Sequence, residues 1–387
     1  MIYFDAAATT PVRPEVLAAL APLYTSDFGN PSSVHSAGET AARALDYARR
    51  TAAGVLGCRP GDIVFTSGGT ESDNLAIKGL ALAAPQGRHI VSSAVEHPAV
   101  LESLAYLQRL HGFRITLVPV DGTGRVDPAG VEAALTRDTT LCTIMTANNE
   151  VGTLQPVSEI AEACRARGIP FHTDAVQAAG WLPVSVAGTG IDALSISGHK
   201  LGAPKGCGLL YVRGVLPLEP LIHGGGQERG RRAGTENVAG AVALATALSL
   251  AEKERPAAAE RARKLRDYLI DTVLEQVPGA LLTGHRTERL PGHASFCFPG
   301  TSGEAVLLEA ERAGMLCSSG SACASGSDEP SPVLTAMGLD RETAQTAVRL
   351  TFAPTVRENE VALAARALSG AVKRVRDLQQ DSGRPRP

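Results

Sequence analysis

Between residues 63 and 212 the chain alternates short apolar runs with amphipathic stretches long enough for helices. The runs fall at 63–66, 90–93, 115–120, 141–146, 170–173, 193–196 and 207–212, and helical patterns end near 84, 111, 135 and 167. Runs of this length separated by helices predict an α/β domain, built on a mostly parallel seven-stranded sheet covered on both faces. In such sheets ligands bind outside the carboxyl ends of the strands. Gly68-Gly69-Thr70, His97, Asn149, Asp174 and Lys200 all stand at those ends. That convergence places a site there.

Lys200 follows the run 193–196 through Ser197-Gly198-His199, and a second apolar run resumes at 207. A lysine held partly out of water loses preference for its ammonium form, so its amine can attack an aldehyde and form a Schiff base. Most lysines are simply solvated, and only the company Lys200 keeps argues otherwise. Asp174 closes a buried run. It would suit a helix cap, or a pyridinium nitrogen that it keeps protonated so that the ring acts as an electron sink. His97, in the same mouth, is a general acid–base candidate where a structural histidine is the default.

Gly68-Gly69-Thr70-Glu71 lies between a strand and a helix, where free N–H groups and a hydroxyl suit a phosphate. An ordinary glycine-rich turn with Thr70 or Ser72 as its cap is an equal reading. No G-x-x-x-x-G-K-[ST] pattern occurs, and Gly224-Gly225-Gly226 lacks the spacing of a nicotinamide fingerprint.

Beyond 213 a Gly- and Arg-rich loop (224–235) leads into a helix to about 254, and Pro256 marks an expected domain boundary. Helices at 257–276, 303–314 and 356–376 with strands at 294–298 and 348–352 predict a smaller α+β domain. The expected division is a large domain at 13–255 and a small one from 1–12 and 256–378, followed by a disordered tail at 379–387. Arg349 stands in an apolar strand and needs an anionic partner, either a substrate carboxylate or a structural carboxylate. Cys323 lies in Ser318-Ser319-Gly320-Ser321-Ala322-Cys323-Ala324-Ser325-Gly326-Ser327, which has no large side chain. The expectation is an exposed thiol on a flexible loop, as sulfur chemistry needs. Cys142, Cys297 and Cys317 sit in apolar runs and read as small core residues.

A net charge of −3 and only 4% aromatic residues argue against nucleic acid as a partner. No apolar stretch of membrane-spanning length and no signal-peptide pattern is visible. Seven cysteines without a repeated spacing point to a reducing compartment, so the expected location is cytoplasmic. No C-x-x-C occurs, and no firm metal site is expected.

Taken in order, Tyr3-Phe4-Asp5-Ala6-Ala7-Ala8-Thr9-Thr10, Gly29-Asn30-Pro31-Ser32-Ser33, Thr66-Ser67-Gly68-Gly69-Thr70-Glu71, Glu96-His97, Asn148-Asn149-Glu150-Val151-Gly152, His172-Thr173-Asp174-Ala175-Val176-Gln177, Ser197-Gly198-His199-Lys200 and Arg232-Ala233-Gly234-Thr235 form a specific set. With them the chain, to about residue 375, resembles the pyridoxal-phosphate cysteine desulfurases of the iron–sulfur assembly type, in the aminotransferase-like fold type I. The resemblance implies that Lys200 holds the cofactor covalently and moves the substrate α-proton, while Asp174 pairs with the ring nitrogen and Gln177 with the ring hydroxyl. It implies that His97 stacks on the ring and shuttles protons. Thr70, Gly69, Ser197 and His199 would bind the phosphate, with Thr235 contributed from the second subunit of a homodimer. Asn149 would serve cofactor and substrate, and with Arg349 it would hold the carboxylate of L-cysteine. Cys323 would take the sulfur as a persulfide, leaving alanine, and pass it to an acceptor protein such as an iron–sulfur scaffold. It could also act as a transient cluster ligand.

The 318–327 stretch resembles the longer, mobile version of this loop, not the short one with an R-x-G-H-H-C pattern. Gln227 stands where many relatives have histidine, and no catalytic consequence is assigned to it. An aminotransferase or selenocysteine lyase would not need the thiol of Cys323. An idle assembly platform would not need Lys200, Asp174 and His97 intact.

Overall fold

The computed structural model describes residues 1–83, 85–319 and 329–382. A two-residue strand, β1 (Ile2–Tyr3), opens the chain. The central strands are β2 (Ile63–Thr66), β3 (His89–Ser93), β4 (Arg114–Val118), β5 (Thr139–Thr143), β6 (Phe171–Asp174), β7 (Ala193–Ser197) and β8 (Gly208–Val212). They lie side by side in the order β2-β8-β7-β6-β5-β3-β4. The β6–β7, β5–β6, β3–β5 and β3–β4 pairs are parallel, whereas β8 runs against both neighbours. That reversal follows from the connection: residues 198–207 are too few for a crossover helix, so the chain doubles straight back. β3 and β5–β8 are buried along their whole length, which is why they read as continuous apolar or small-residue runs and not as alternating ones.

The second unit carries β9 (Leu281–Leu282), β10 (His293–Cys297), β11 (Met315–Leu316) and β12 (Ala347–Thr351). β10 lies between β12 and β9, antiparallel to both, and β11 pairs in parallel with β1. Phe4 packs into the same core as Phe296, Phe298, Phe352 and Leu368, so the first residues of the chain belong with its last third. Truncating so enclosed a ring typically costs about 3–5 kcal/mol.

Two boundaries differ from expectation. A single helix, Val238–Gln276, runs straight through Pro256. Proline removes one backbone hydrogen bond, but apolar residues on both sides hold the helix in place. Ala243, Leu244, Ala247 and Leu248 pack under the large sheet, while Leu265, Leu269, Ile270 and Val273 pack in the second core. The change of core therefore happens within one continuous rod. The final helix, Glu358–Ser382, takes in the first four residues of the tail expected at 379–387, whose remainder, 383–387, lies outside the described residues.

Candidate active site

The carboxyl ends of the parallel strands collect the predicted side chains. β7 ends at Ser197, and one tight turn, Gly198–Lys200, delivers Lys200 beside β6. Lys200 Nζ donates to the carbonyl of Ala7, and Gln177 Nε2 donates to the same oxygen at 3.1 Å. The N-terminal segment thus closes over the lysine. Lys200 and Gln177 line one cleft with Ala7, Thr10, Trp181 and His293.

Asp174 is buried at the end of β6 and accepts the backbone N–H of Val176 at 2.8 Å. Burial raises its carboxyl pKa, and the charges of His97 and Lys200 oppose that rise. The same three groups set His97: burial lowers its pKa, Asp174 raises it and Lys200 lowers it. His97 also caps the helix Pro98–His111, its Nδ1 accepting from Ala99 N–H at 3.1 Å. A nitrogen that accepts is bare, so the ring proton sits on Nε2. Lysine, carboxylate and imidazole form one electrostatic cluster.

At the other end of the site, Gly69 starts the helix Gly69–Ala83. A β-carbon there would lie 2.8 Å from Val176 Cγ2 and 3.4 Å from Ser197 Cβ, so glycine lets helix, β6 end and β7 end meet. Thr70 is exposed in the first turn and Ser197 is buried. His199 Nδ1 lies 3.1 Å from Thr9 Oγ1, and burial, then Lys200 and Lys205, push its pKa down to about 4. Thr235 is exposed, and among the described residues no hydrogen bond joins it to Thr70, Ser197 or His199. Arg232, three residues earlier, is tied to Glu71 at 2.9 Å, so its loop is anchored to the Gly69 turn.

Arg349 is buried in β12, where Nη1 donates to the carbonyl of Asn149 at 2.9 Å and Nη2 to Asp5 at 2.8 Å. Its structural carboxylate is therefore Asp5. Cys323 lies outside the described residues, but the chain on either side of it is placed. Ser318 exchanges backbone hydrogen bonds with Arg349, and Ser331 Oγ donates to Glu150 at 2.5 Å. Both attachments flank Asn149 and Arg349. Cys142 and Cys297 are buried and Cys317 half-buried. Burial pushes the thiols of Cys58 and Cys317 up to about 12 and those of Cys207 and Cys297 to about 11, so none of these four is poised as a thiolate. Among the described residues no group of His, Cys, Asp and Glu could hold a metal ion.

Beneath Asp174 lies a buried polar layer of His172, Glu96 and Asp73; the first two stood in the resemblance set without a role, and Asp73 was not singled out. His172, one strand turn earlier on the same face, touches Thr143 Oγ1 at 2.8 Å and Ser195 Oγ at 3.0 Å. Glu96 accepts from Ser93 Oγ at 2.6 Å and from Met145 N–H at 2.9 Å, and burial raises its pKa to about 8. Asp73 lies 3.7 Å from His172 and is raised well above the usual carboxylate range by burial and by Asp174. Polar letters inside otherwise apolar runs were the available signal.

The match to known proteins is extensive. The model of the class-V aminotransferases covers residues 2–363. A cysteine desulfurase, IscS, of Dictyoglomus turgidum is 47% identical over 91% of this chain and 89% of its own. The chain belongs to the cysteine desulfurases of the class-V aminotransferase family. A solved NifS-like protein superposes with a TM-score of 0.89 at 37% identity, covering 96% of this chain and 99% of its own. A structure described as SspA in complex with cysteine gives 0.79 at 36% identity, covering 92% and 99%. Desulfurases of this family use pyridoxal 5′-phosphate. The donor set here fits that group: an amine, a buried carboxylate and a neutral imidazole act on one another electrostatically, and the start of a helix packs against Val176 and Ser197 beside them. Among the described residues no helix is long and apolar enough to cross a membrane.

Proposed function

We propose that this chain converts L-cysteine to L-alanine and takes the sulfur onto Cys323 as a persulfide for delivery to an acceptor protein. The observation that carries this reading is the mutual electrostatic contact of Lys200, Asp174 and His97 at the strand ends, joined to sequence identity with desulfurases across nine-tenths of the chain. Bound pyridoxal phosphate supplies an electron sink for the bonds broken at Cα and Cβ of the substrate.

The chain's own residues do the rest. Asp174 holds a proton at the ring nitrogen, and its burial keeps competing water away. Gln177, braced on Ala7, meets the ring hydroxyl. The helix start at Gly69 and Thr70, with Ser197 and His199, takes the phosphate. Lys200 would hold the cofactor and would accept the substrate's α-proton. His97, with its proton on Nε2, stacks on the ring and gives and takes protons. Asn149 and Arg349 hold the substrate carboxylate. The Cys323 thiolate attacks the substrate sulfur; the Cβ–S bond breaks with its electrons passing to the substrate carbon, which is then protonated to alanine. One thiol and one cysteine become one persulfide and one alanine.

A homodimer is supported by exposed Leu17, Tyr24, Phe28, Val34 and Tyr47 near the chain start, with exposed Thr235 reaching the partner's phosphate. A cytoplasmic location is supported by free thiols at every described cysteine. An iron–sulfur scaffold is the acceptor named by the resemblance.

The test compares wild type with Cys323→Ala, given L-cysteine and a reductant. Equal yields of alanine and sulfide from wild type, lost in a variant that still binds cofactor, are expected. Undiminished sulfide from the variant removes Cys323 from the mechanism.

A further inference from the structure

Asn149 sits in the turn that leaves β5, and its placement is controlled from two sides. From within, Asn148 Oδ1 accepts the N–H groups of Glu150 at 2.8 Å and Val151 at 2.9 Å, while its Nδ2 donates to Val95. From outside, the carbonyls of the turn are gripped by the second unit. Leu290 N–H donates to Gly152, and Arg289 Nη2 donates to Val151. The carbonyl of Asn149 receives two donors, Arg349 Nη1 at 2.9 Å and His293 Nε2 at 3.3 Å. Both lone pairs of that oxygen are thereby used.

His293 opens β10 and is 2% exposed. Among the described residues its Nδ1 has no hydrogen-bond partner, and it lies against Gly152, where an added β-carbon would come within 2.7 Å of it. Gly152 has φ +79, which also favours glycine. The ring is therefore clamped flat between turn and strand, with its one proton on Nε2. Burial and the guanidinium groups of Arg349, Arg289 and Arg266 hold it neutral. A charged ring would repel Arg349; a neutral one donates beside it.

We infer that His293 is a positioning residue for substrate binding, its Nε2–H holding the Asn149 turn in register with Arg349. This rests on the proposal that Asn149 and Arg349 receive the substrate carboxylate. His293 joins the edge of the cleft that contains Lys200 and Gln177, so a shift of the turn changes the distance from carboxylate site to lysine. Misplacement by about 1 Å can cost up to about a hundredfold. The loss of one shared donor, with Arg349 still present, is expected to cost less.

The experiment uses cofactor-loaded protein and the substitutions His293→Leu, His293→Gln and Arg349→Lys. KM and kcat are measured for L-cysteine, and the Kd of L-alanine is read from the visible absorbance of the cofactor. His293→Leu is expected to raise KM and Kd about fivefold to tenfold with kcat within about twofold. His293→Gln, which keeps an N–H at the same reach, is expected to restore both. If His293→Leu matches wild type while Arg349→Lys raises both constants, the inference is wrong and the carboxylate assignment stands. If Arg349→Lys changes neither, the assignment fails and the inference with it. Should His293→Leu not fold, His293→Gln is compared with the shorter His293→Asn, and equal constants for the two overturn the inference.

Discussion

Lys200 and Gln177 donate to one carbonyl oxygen, that of Ala7. The residue expected to carry the cofactor and the residue expected to meet its ring hydroxyl are thus aligned by the N-terminal segment, more than 160 residues away in the chain. That segment packs with the second core through Phe4 and reaches Arg349 through Asp5. One short stretch therefore references Lys200 and Arg349 to each other.

Gln177→Glu removes the donor and places a negative charge beside Lys200. The charge stabilises the ammonium form, which is not nucleophilic. About tenfold more pyridoxal phosphate should be needed for half-saturation, measured as visible absorbance in a titration at constant pH. An unchanged titration curve would show that Gln177 does not tune the amine.

His97 performs two tasks that substitution can separate. Its Nδ1 caps the helix Pro98–His111, and its ring faces Asp174 and Lys200. Asparagine is a good cap, whereas alanine loses about 1 kcal/mol. His97→Asn should therefore unfold in urea like wild type, and His97→Ala at lower urea. Both should lose about a hundredfold or more in alanine formation. Full activity in His97→Asn would reduce His97 to its capping role.

The sheet, its direction and the clustering of Asp174, His97 and Lys200 were legible because they depend on local patterns. Apolar runs set strands, strand ends set the site, and parallel order brings the ends together. The partners of these residues were less legible. Asp5 as the carboxylate of Arg349 needs a contact across 344 residues, which no local spacing reports. Glu96 and His172 were visible as letters of the resemblance, but their burial with Asp73 beneath Asp174 was not, because a buried polar residue looks in sequence like a surface one. Pro256 misled for a different reason: its penalty on a helix is local, while packing at both ends of Val238–Gln276 is not.

Glu96 gives a pH signature. Burial raises its folded pKa from 4.5 to about 8, so the folded state binds this proton more tightly than the unfolded chain does. The resulting stability is full below the unfolded value and is lost as pH rises through about 8. Glu96→Gln keeps the acceptor for Ser93 and Met145 without the ionisation. Between pH 6 and 9 wild type should lose more stability than the variant, by on the order of a few kcal/mol. Parallel pH dependence of the two in urea melts would mean that Glu96 ionises freely in the folded protein.

Pro256 is exposed, inside a helix whose two halves belong to different cores. An interior proline costs about 3 kcal/mol relative to alanine in an unconstrained helix. Part of that is returned because proline restricts the unfolded chain by about 0.4–1 kcal/mol. Pro256→Ala should therefore stabilise the protein by about 2 kcal/mol, seen as a higher urea midpoint with an unchanged slope. Desulfurase activity should be unaltered, since no site residue lies on this turn. A drop in midpoint would show that the proline sets a bend on which the two cores depend. The slope then separates the cases: a decrease would reveal that the cores unfold independently once that bend is gone.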